Sequence, residues 1–119
     1  MPRILVVEDE PLIAMMLADW LAEVGHEAKG PVHSVKAALS LLDETAVDAA
    51  VLDVTLGDED SYAVADALAA RGVPFAFATG HGISAVAPRY KGVVTLSKPF
   101  DFASVTRVLD QILRRTAHS

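Results

Sequence analysis

The sequence predicts an α/β domain in which a five-stranded parallel sheet is covered by helices on both faces. Three observations predict it. Short apolar runs alternate along the chain with segments whose apolar residues recur every three or four positions. The central runs "DAAVLD" (48–53) and "PFAFA" (74–78) are apolar throughout their interiors, as strands buried on both faces are. The length of 119 residues, with 52% hydrophobic and 22% charged residues, suits one compact domain with one core.

Each element has its own signals. "RILVV" (Arg3–Val7) is a short β-like run, and Pro11 then suits a first helical position, where its missing N–H costs nothing. The helix it opens puts Ile13, Leu17, Trp20, Leu21 and Val24 on one face and ends at Gly25. A weaker strand follows at Glu27–Val32. Ser34 is placed to cap a helix carrying Val35, Ala38, Leu39 and Leu42. After the strand at Asp48–Asp53, Ser61 is expected to cap a helix through Ala70, closed by Gly72. The fourth strand is Pro74–Ala78 and the fifth "VVTL", Val93–Leu96. Asp101 is expected to cap a last helix lined by Phe102, Val105, Leu109 and Ile112. No repeat, linker or low-complexity tract interrupts the pattern.

Composition excludes several functions. A formal net charge of -6 and a pI near 5.0 argue against a direct grip on nucleic acid, which needs clustered Lys and Arg. No apolar run reaches the ~18 residues of a membrane span, and "MPRILVVEDEP" meets carboxylates too early for a signal peptide. With no Cys there is no disulfide or thiolate chemistry, which fits the cytoplasm.

In parallel sheets of this kind ligands bind at the carboxyl ends of the strands, beside the point where strand order reverses. The residues just past each strand are therefore informative. After the first come Glu8 and Asp9; at the end of the third, Asp53; after the fourth, Thr79; after the fifth, Lys98 and Pro99. Three carboxylates at one edge repel, since two charges ~4 Å apart interact by roughly 4 kcal/mol at an effective dielectric of about 20, so a cation is wanted. Oxygen ligands without Cys or His favour Mg²⁺, or Mn²⁺, over Zn²⁺. A carboxylate can also act as a nucleophile towards phosphorus when cations offset the incoming oxygens. Asp53, the lone acid closing a buried strand, is the candidate nucleophile; Glu8 and Asp9 are the candidate metal pair. Lys98 supplies a fixed positive charge and Thr79 a hydroxyl donor. Gly80 and Gly82, flanking His81 in "FATGHG", allow the loop to move towards a phosphoryl group.

Together "VVEDEP", "VLDVTL", "FATG" and "SKPF" resemble, in order and spacing, the receiver domain of two-component response regulators over essentially the whole chain. The resemblance implies a flavodoxin-like sheet of strand order 2-1-3-4-5 in one receiver domain, 1–119, with no output domain. It implies Mg²⁺ binding by Asp9 and Asp53 directly, by Glu8 through water and by the main-chain carbonyl of Thr55. It also implies phosphorylation of Asp53 by a phosphohistidine on a sensor histidine kinase or histidine phosphotransfer protein, and a cis peptide between Lys98 and Pro99. Signalling then passes to a downstream protein or along a phosphorelay; the chain accepts phosphoryl groups and is not an enzyme acting on a separate substrate. "PFAFATGHG" is similar to the "FATGUY" group of mostly single-domain alphaproteobacterial receivers.

One departure concerns switching. Most receivers carry Tyr or Phe three residues before the lysine, where this chain has Thr95, so an aromatic rotamer switch is ruled out at that position. The segment Gly80–Gly92, containing Pro88, is expected to respond instead, with a short and marginal helix. His81 is positioned to tune phosphoryl lifetime. Two other functional classes stand beside the switch. A metal-dependent phosphatase or phosphotransferase would need a general acid near the nucleophile, and Val54 and Thr55 supply none; a docking-only pseudo-receiver would not need all five site residues. The run "GDED" (57–60) lacks the Gly and Glu of a calcium loop and reads as a solvated turn. His26, His33 and His118 read as surface residues, Trp20, Met15 and Met16 as helix packing, and Arg114 and Arg115 as charges favouring a helix C-terminus.

Overall fold

The computed structural model describes residues 1–80 and 86–117, with side chains through Arg114. In chain order the elements are β1 (Arg3–Val7), α1 (Pro11–Glu23), β2 (Glu27–Val32), α2 (Val35–Glu44), β3 (Ala49–Asp53), β4 (Thr55–Leu56), β5 (Glu59–Asp60), α3 (Tyr62–Ala70), β6 (Phe75–Thr79), a 3₁₀ turn (Pro88–Tyr90), β7 (Thr95–Ser97) and α4 (Phe102–Ala117). Five strands form a parallel sheet in the order β2-β1-β3-β6-β7, and β4 pairs with β5 in a separate antiparallel hairpin. Counting only the parallel strands, this is the 2-1-3-4-5 order of a flavodoxin-like doubly wound fold.

The strand sequences explain why both faces are covered. Leu5, Val7, Ala50, Leu52, Phe75 and Phe77 pack towards α2 and α3, through Ala38, Leu42, Val64 and Leu68. The intervening Ile4, Val6, Ala49, Val51, Ala76 and Ala78 pack towards α1 and α4, through Leu17, Leu21, Val105, Leu109 and Ile112. Alternation at a period of two thus delivers one apolar set to each helical layer, and removing these side chains from water is the main force holding the layers together. The parallel register sets Ile4 opposite Ala49 and Asp53 opposite Ala78, so the chemically distinctive residues after each strand converge on one edge.

Two predicted caps form. Ser34 Oγ accepts from Ala37 N–H at 3.1 Å, and Asp101 Oδ1 accepts from Ser104 N–H at 2.8 Å. Ser61 does not cap α3. Its hydroxyl is buried without a hydrogen-bond partner among the described residues, while Asp60 Oδ1 accepts from Tyr62 N–H at 3.2 Å. Strand limits shift by one or two residues: β3 begins at Ala49, β6 extends to Thr79, and β7 covers 95–97 where 93–96 was expected. The "GDED" run is exposed as expected, and it also closes the hairpin: Gly57, at φ +63°, and Asp58 form the two-residue turn between Leu56 and Glu59.

Helix α1 buries a narrower stripe than its sequence suggests. Leu17 and Leu21 are buried and Trp20 packs edge-to-face on Phe102 at 5.8 Å, but Met15 is 59% exposed and Val24, beyond the last helical turn, 39%. Met15 therefore presents an apolar surface where packing was expected. His26 is half-buried with Nδ1 enclosed, contrary to the surface expectation; His33 is exposed, and His118 lies outside the described residues. Arg114 Nε donates to Asp110 O at 3.4 Å near the end of α4, and the Arg115 side chain lies outside the described residues. The Lys98–Pro99 peptide is cis, as expected, and so is Gly30–Pro31. At Gly30 the chain passes so close to its neighbours that a Cβ would meet Val32 N at 2.7 Å and Val6 O at 3.1 Å, at φ +94°, which favours glycine twice over.

Candidate functional site

The carboxyl ends of β1, β3, β6 and β7 bring Glu8, Asp9, Asp53, Thr79 and Lys98 together around an open cleft of about 310 Å³. Asp9, Glu10, Asp53, Thr55, Gly57, Thr79, Gly80 and Lys98 line it. It lies beside β1 and β3, between which the strand order reverses, and the five predicted residues meet there because four parallel strands end there.

Burial differs across the cluster. Glu8 is 1% exposed, Thr79 3% and Asp53 7%, whereas Thr55 and Gly80 are exposed. Carboxylate oxygens of Glu8, Asp9 and Asp53 can all lie within 4.8 Å of one another. Lys98 reaches in from the end of β7: its Nζ donates to Asp53 Oδ2 at 2.9 Å and sits 2.9 Å from Glu8 Oε1, without an aligned hydrogen bond to the latter. Lys98 N–H also donates to Thr79 O at 2.9 Å, so the main chain ties the lysine to the strand that carries the threonine.

The electrostatics show an incompletely balanced site. Burial, and then the contact with Asp53, pushes the Glu8 carboxyl up to about 7 from its ordinary 4.5, against the opposing pull of Lys98. Burial alone would lower Lys98, but the neighbouring carboxylates of Glu8 and Asp53 outweigh that and hold the ammonium above its usual range. One lysine is too little for three gathered acids, so one of them keeps a proton near neutrality. A hard divalent cation fits this donor set, because it would stabilise all three carboxylates in their charged form.

Three contributors escaped the sequence reading. Gly57 N–H donates to Asp9 Oδ2 at 2.8 Å, orienting that carboxylate from the hairpin turn. His33 Nδ1 lies 2.8 Å from Glu8 O, fixing the main chain at the end of β1. Glu10 lines the cleft with its Oε1 3.8 Å from Lys98 Nζ. Gly57 and Glu10 stood in the quoted motifs, but nothing in the order of residues marks His33. The expected switch segment is described in part: Gly80, and 86–92 with the 3₁₀ turn, whereas His81 and Gly82 lie outside the described residues. A Cβ at Gly80 would meet nothing within 4 Å, so close approach does not require glycine there in this conformation. At Thr95, Oγ1 donates to Val93 O at 3.2 Å.

A family model described as the response regulator receiver domain matches residues 4–110. The chain belongs to the response regulator receiver family. Its relatives include the phyllosphere-induced regulator PhyR of Methylorubrum extorquens, 33% identical over 128 residues that cover 98% of this chain and 48% of PhyR. This receiver spans about half the length of the curated relatives it matches. Among solved structures, SdrG from Sphingomonas melonis Fr1 is 46% identical with a TM-score of 0.85, covering 95% of this receiver and 97% of SdrG. The BeF3-activated conformation of SdrG, from Pseudomonas melonis Fr1, matches at 46% identity and a TM-score of 0.81, covering 93% and 95%. Receivers act in two-component signalling and bind Mg²⁺ at an acidic pocket, and this receiver carries the acidic cluster Glu8, Asp9 and Asp53. No helix among the described residues is long and apolar enough to cross a membrane.

Proposed function

We propose that this receiver is a phosphoacceptor switch in which Asp53 takes a phosphoryl group from a phosphohistidine on a sensor kinase or histidine phosphotransfer protein. The observation that carries the reading is the Lys98 ammonium shared between Asp53 and buried Glu8 at one end of the sheet. An Asp53 oxygen attacks phosphorus, the P–N bond to the donor histidine breaks, and the released imidazole nitrogen recovers its lone pair; the product is an acyl phosphate on Asp53. Lys98 is already within 3 Å of the nucleophile and can follow the phosphoryl oxygens as they arrive. Thr79, at the end of the neighbouring strand β6, would supply a hydroxyl donor to the same oxygens.

Glu8, Asp9, Asp53 and the main-chain carbonyl of Thr55 are the residues that would hold Mg²⁺, with Mn²⁺ an acceptable substitute. When bound, the metal supplies positive charge that offsets the carboxylates and the incoming phosphoryl oxygens. The 46% identity to SdrG, which has a BeF3-activated conformation, supports an acyl-phosphate switch, because beryllofluoride on a carboxylate imitates a phosphoryl group. Output passes by protein contact, either to a downstream protein or along a phosphorelay, in the cytoplasm. The test is the intact mass after incubation with acetyl phosphate and Mg²⁺, repeated with a phosphohistidine donor protein. One phosphoryl gain that needs Mg²⁺, is released by hydroxylamine and is absent in Asp53→Asn is expected; no gain from either donor would remove the proposal.

A further inference from the structure

We propose that Glu10 is a specificity-determining residue: it guards the mouth of the cleft against small anionic phosphodonors, leaving the site to donors presented by a protein. The inference rests on the phosphoacceptor reading and adds to it which donors the site admits.

Glu10 occupies the N-cap position of α1, yet its side chain makes no capping bond; its backbone N–H donates to Glu8 Oε2 at 3.2 Å and its carbonyl accepts from Ala14 N–H at 2.9 Å. A glutamate is too long to serve this position well, and caps are normally Ser, Thr, Asp or Asn. The carboxylate instead turns across the cleft, where Oε1 stands 3.8 Å from Lys98 Nζ, and its side chain remains 62% exposed. Its side chain therefore neither caps the helix nor belongs to the acid group formed by buried Glu8 and Asp53 with half-buried Asp9.

The charge balance gives the position meaning. The three carboxylates of Glu8, Asp9 and Asp53 would be offset by one divalent cation together with Lys98. Glu10 is the carboxylate in excess, and it faces the solvent path to Asp53. A free dianion approaching Asp53 meets this excess charge without compensation. A phosphohistidine on a protein arrives with docking contacts of its own, which can outweigh the same repulsion. The ion pair with Lys98 adds a second effect in the same direction, because the ammonium must partly leave Glu10 to follow the phosphoryl oxygens.

The experiment compares initial rates of Asp53 phosphorylation for wild type, Glu10→Gln and Glu10→Lys at saturating Mg²⁺, by intact mass. Acetyl phosphate, a dianion near neutral pH, and phosphoramidate, a monoanion, are the two donors. Glu10→Gln is expected to raise the acetyl phosphate rate roughly 3- to 10-fold, from one charge removed at several ångströms in water-like dielectric, and the phosphoramidate rate by less. Glu10→Lys should extend the trend, and high salt should shrink it. Equal gains with both donors, or no gain while Asp53 is phosphorylated normally, would overturn the proposal. So would a loss of Mg²⁺ affinity of tenfold or more in Glu10→Gln, read from the metal-dependent shift in melting temperature, since Glu10 would then be a ligand. If neither donor nor a phosphohistidine protein modifies Asp53 in any of the three proteins, the phosphoacceptor reading itself falls, and the role of Glu10 with it.

Discussion

Strand β6 borders two clusters of opposite character. At its carboxyl end lie Glu8, Asp53 and Lys98, where buried acids outnumber the cation and Glu8 is driven towards neutrality. On its α3 side lie Tyr62, Phe75, Phe77 and Tyr90, whose rings meet edge-to-face or stacked with centroids 5.5–5.9 Å apart. Here the polar groups have partners. Ala87 N–H donates to the Tyr62 hydroxyl at 2.8 Å, the Tyr90 hydroxyl bonds Asp66, and the Arg89 guanidinium sits over both tyrosine rings. The aromatic cluster is complete within the chain, and it anchors the 3₁₀ turn to α3 and the sheet. The acidic edge is not: Glu8 Oε1 is buried without a hydrogen-bond partner among the described residues. The contrast shows where stability and chemistry separate: the same strand carries a satisfied core on its face and an unbalanced site at its end.

The comparison is broken most forcefully by Phe77→Ala, which removes the side chain that touches Tyr62, Phe75 and Tyr90 and is fully buried. It should cost roughly 3–5 kcal/mol of stability, measured by denaturant unfolding, as large aromatic truncations in cores do. A loss below about 1 kcal/mol would mean that the aromatic cluster is not a stabilising unit.

A smaller effect separates the acidic edge from that core. Since the folded chain holds the Glu8 proton up to about 7 while the unfolded chain releases it near 4.5, this contribution is fully present below about 4.5. It is lost as pH rises towards about 7 and is constant above. Metal-free protein should therefore lose stability over that window. Glu8→Gln should flatten the slope, as should saturating Mg²⁺, in thermal melts across pH. An unchanged slope in Glu8→Gln would assign the pH dependence elsewhere.

The smallest change sharpens the comparison from the other side. Tyr90→Phe removes the hydroxyl that, ahead of Arg89, holds the Asp66 carboxyl below its usual range, while leaving the ring. A lowered carboxylate stabilises above its unfolded value and loses that contribution as pH falls through the lowered one. The variant should melt slightly lower than wild type at neutral pH, with the difference vanishing in acid and Asp53 phosphorylation intact.

How much of this was visible in the sequence depends on which forces act locally. Strands β1, β3 and β6 were legible because strands buried on both faces leave continuous apolar runs, and the caps at Ser34 and Asp101 because capping is settled within three residues. The site was legible because parallel topology sends the residues after each strand to one edge. Ser61 was misread since Asp60, one position earlier, competes for the same helix end. Met15 was misread because helical spacing marks an apolar face without saying how wide a stripe the sheet can cover. His33 and the stacked Tyr62–Tyr90 pair depend on tertiary approach across 25 and 28 positions, which no local pattern encodes.

The central claim, that the acidic edge is destabilised until a cation joins it, is tested most directly by melting temperature against Mg²⁺ concentration for wild type and Asp53→Asn. Wild type should gain stability by mass action, about 2.7 kcal/mol at a hundredfold excess over its Kd. Asp53→Asn should melt higher than wild type without metal and respond weakly to it. A metal-free Asp53→Asn protein that melts below wild type, or an equal Mg²⁺ response in both, would contradict the claim.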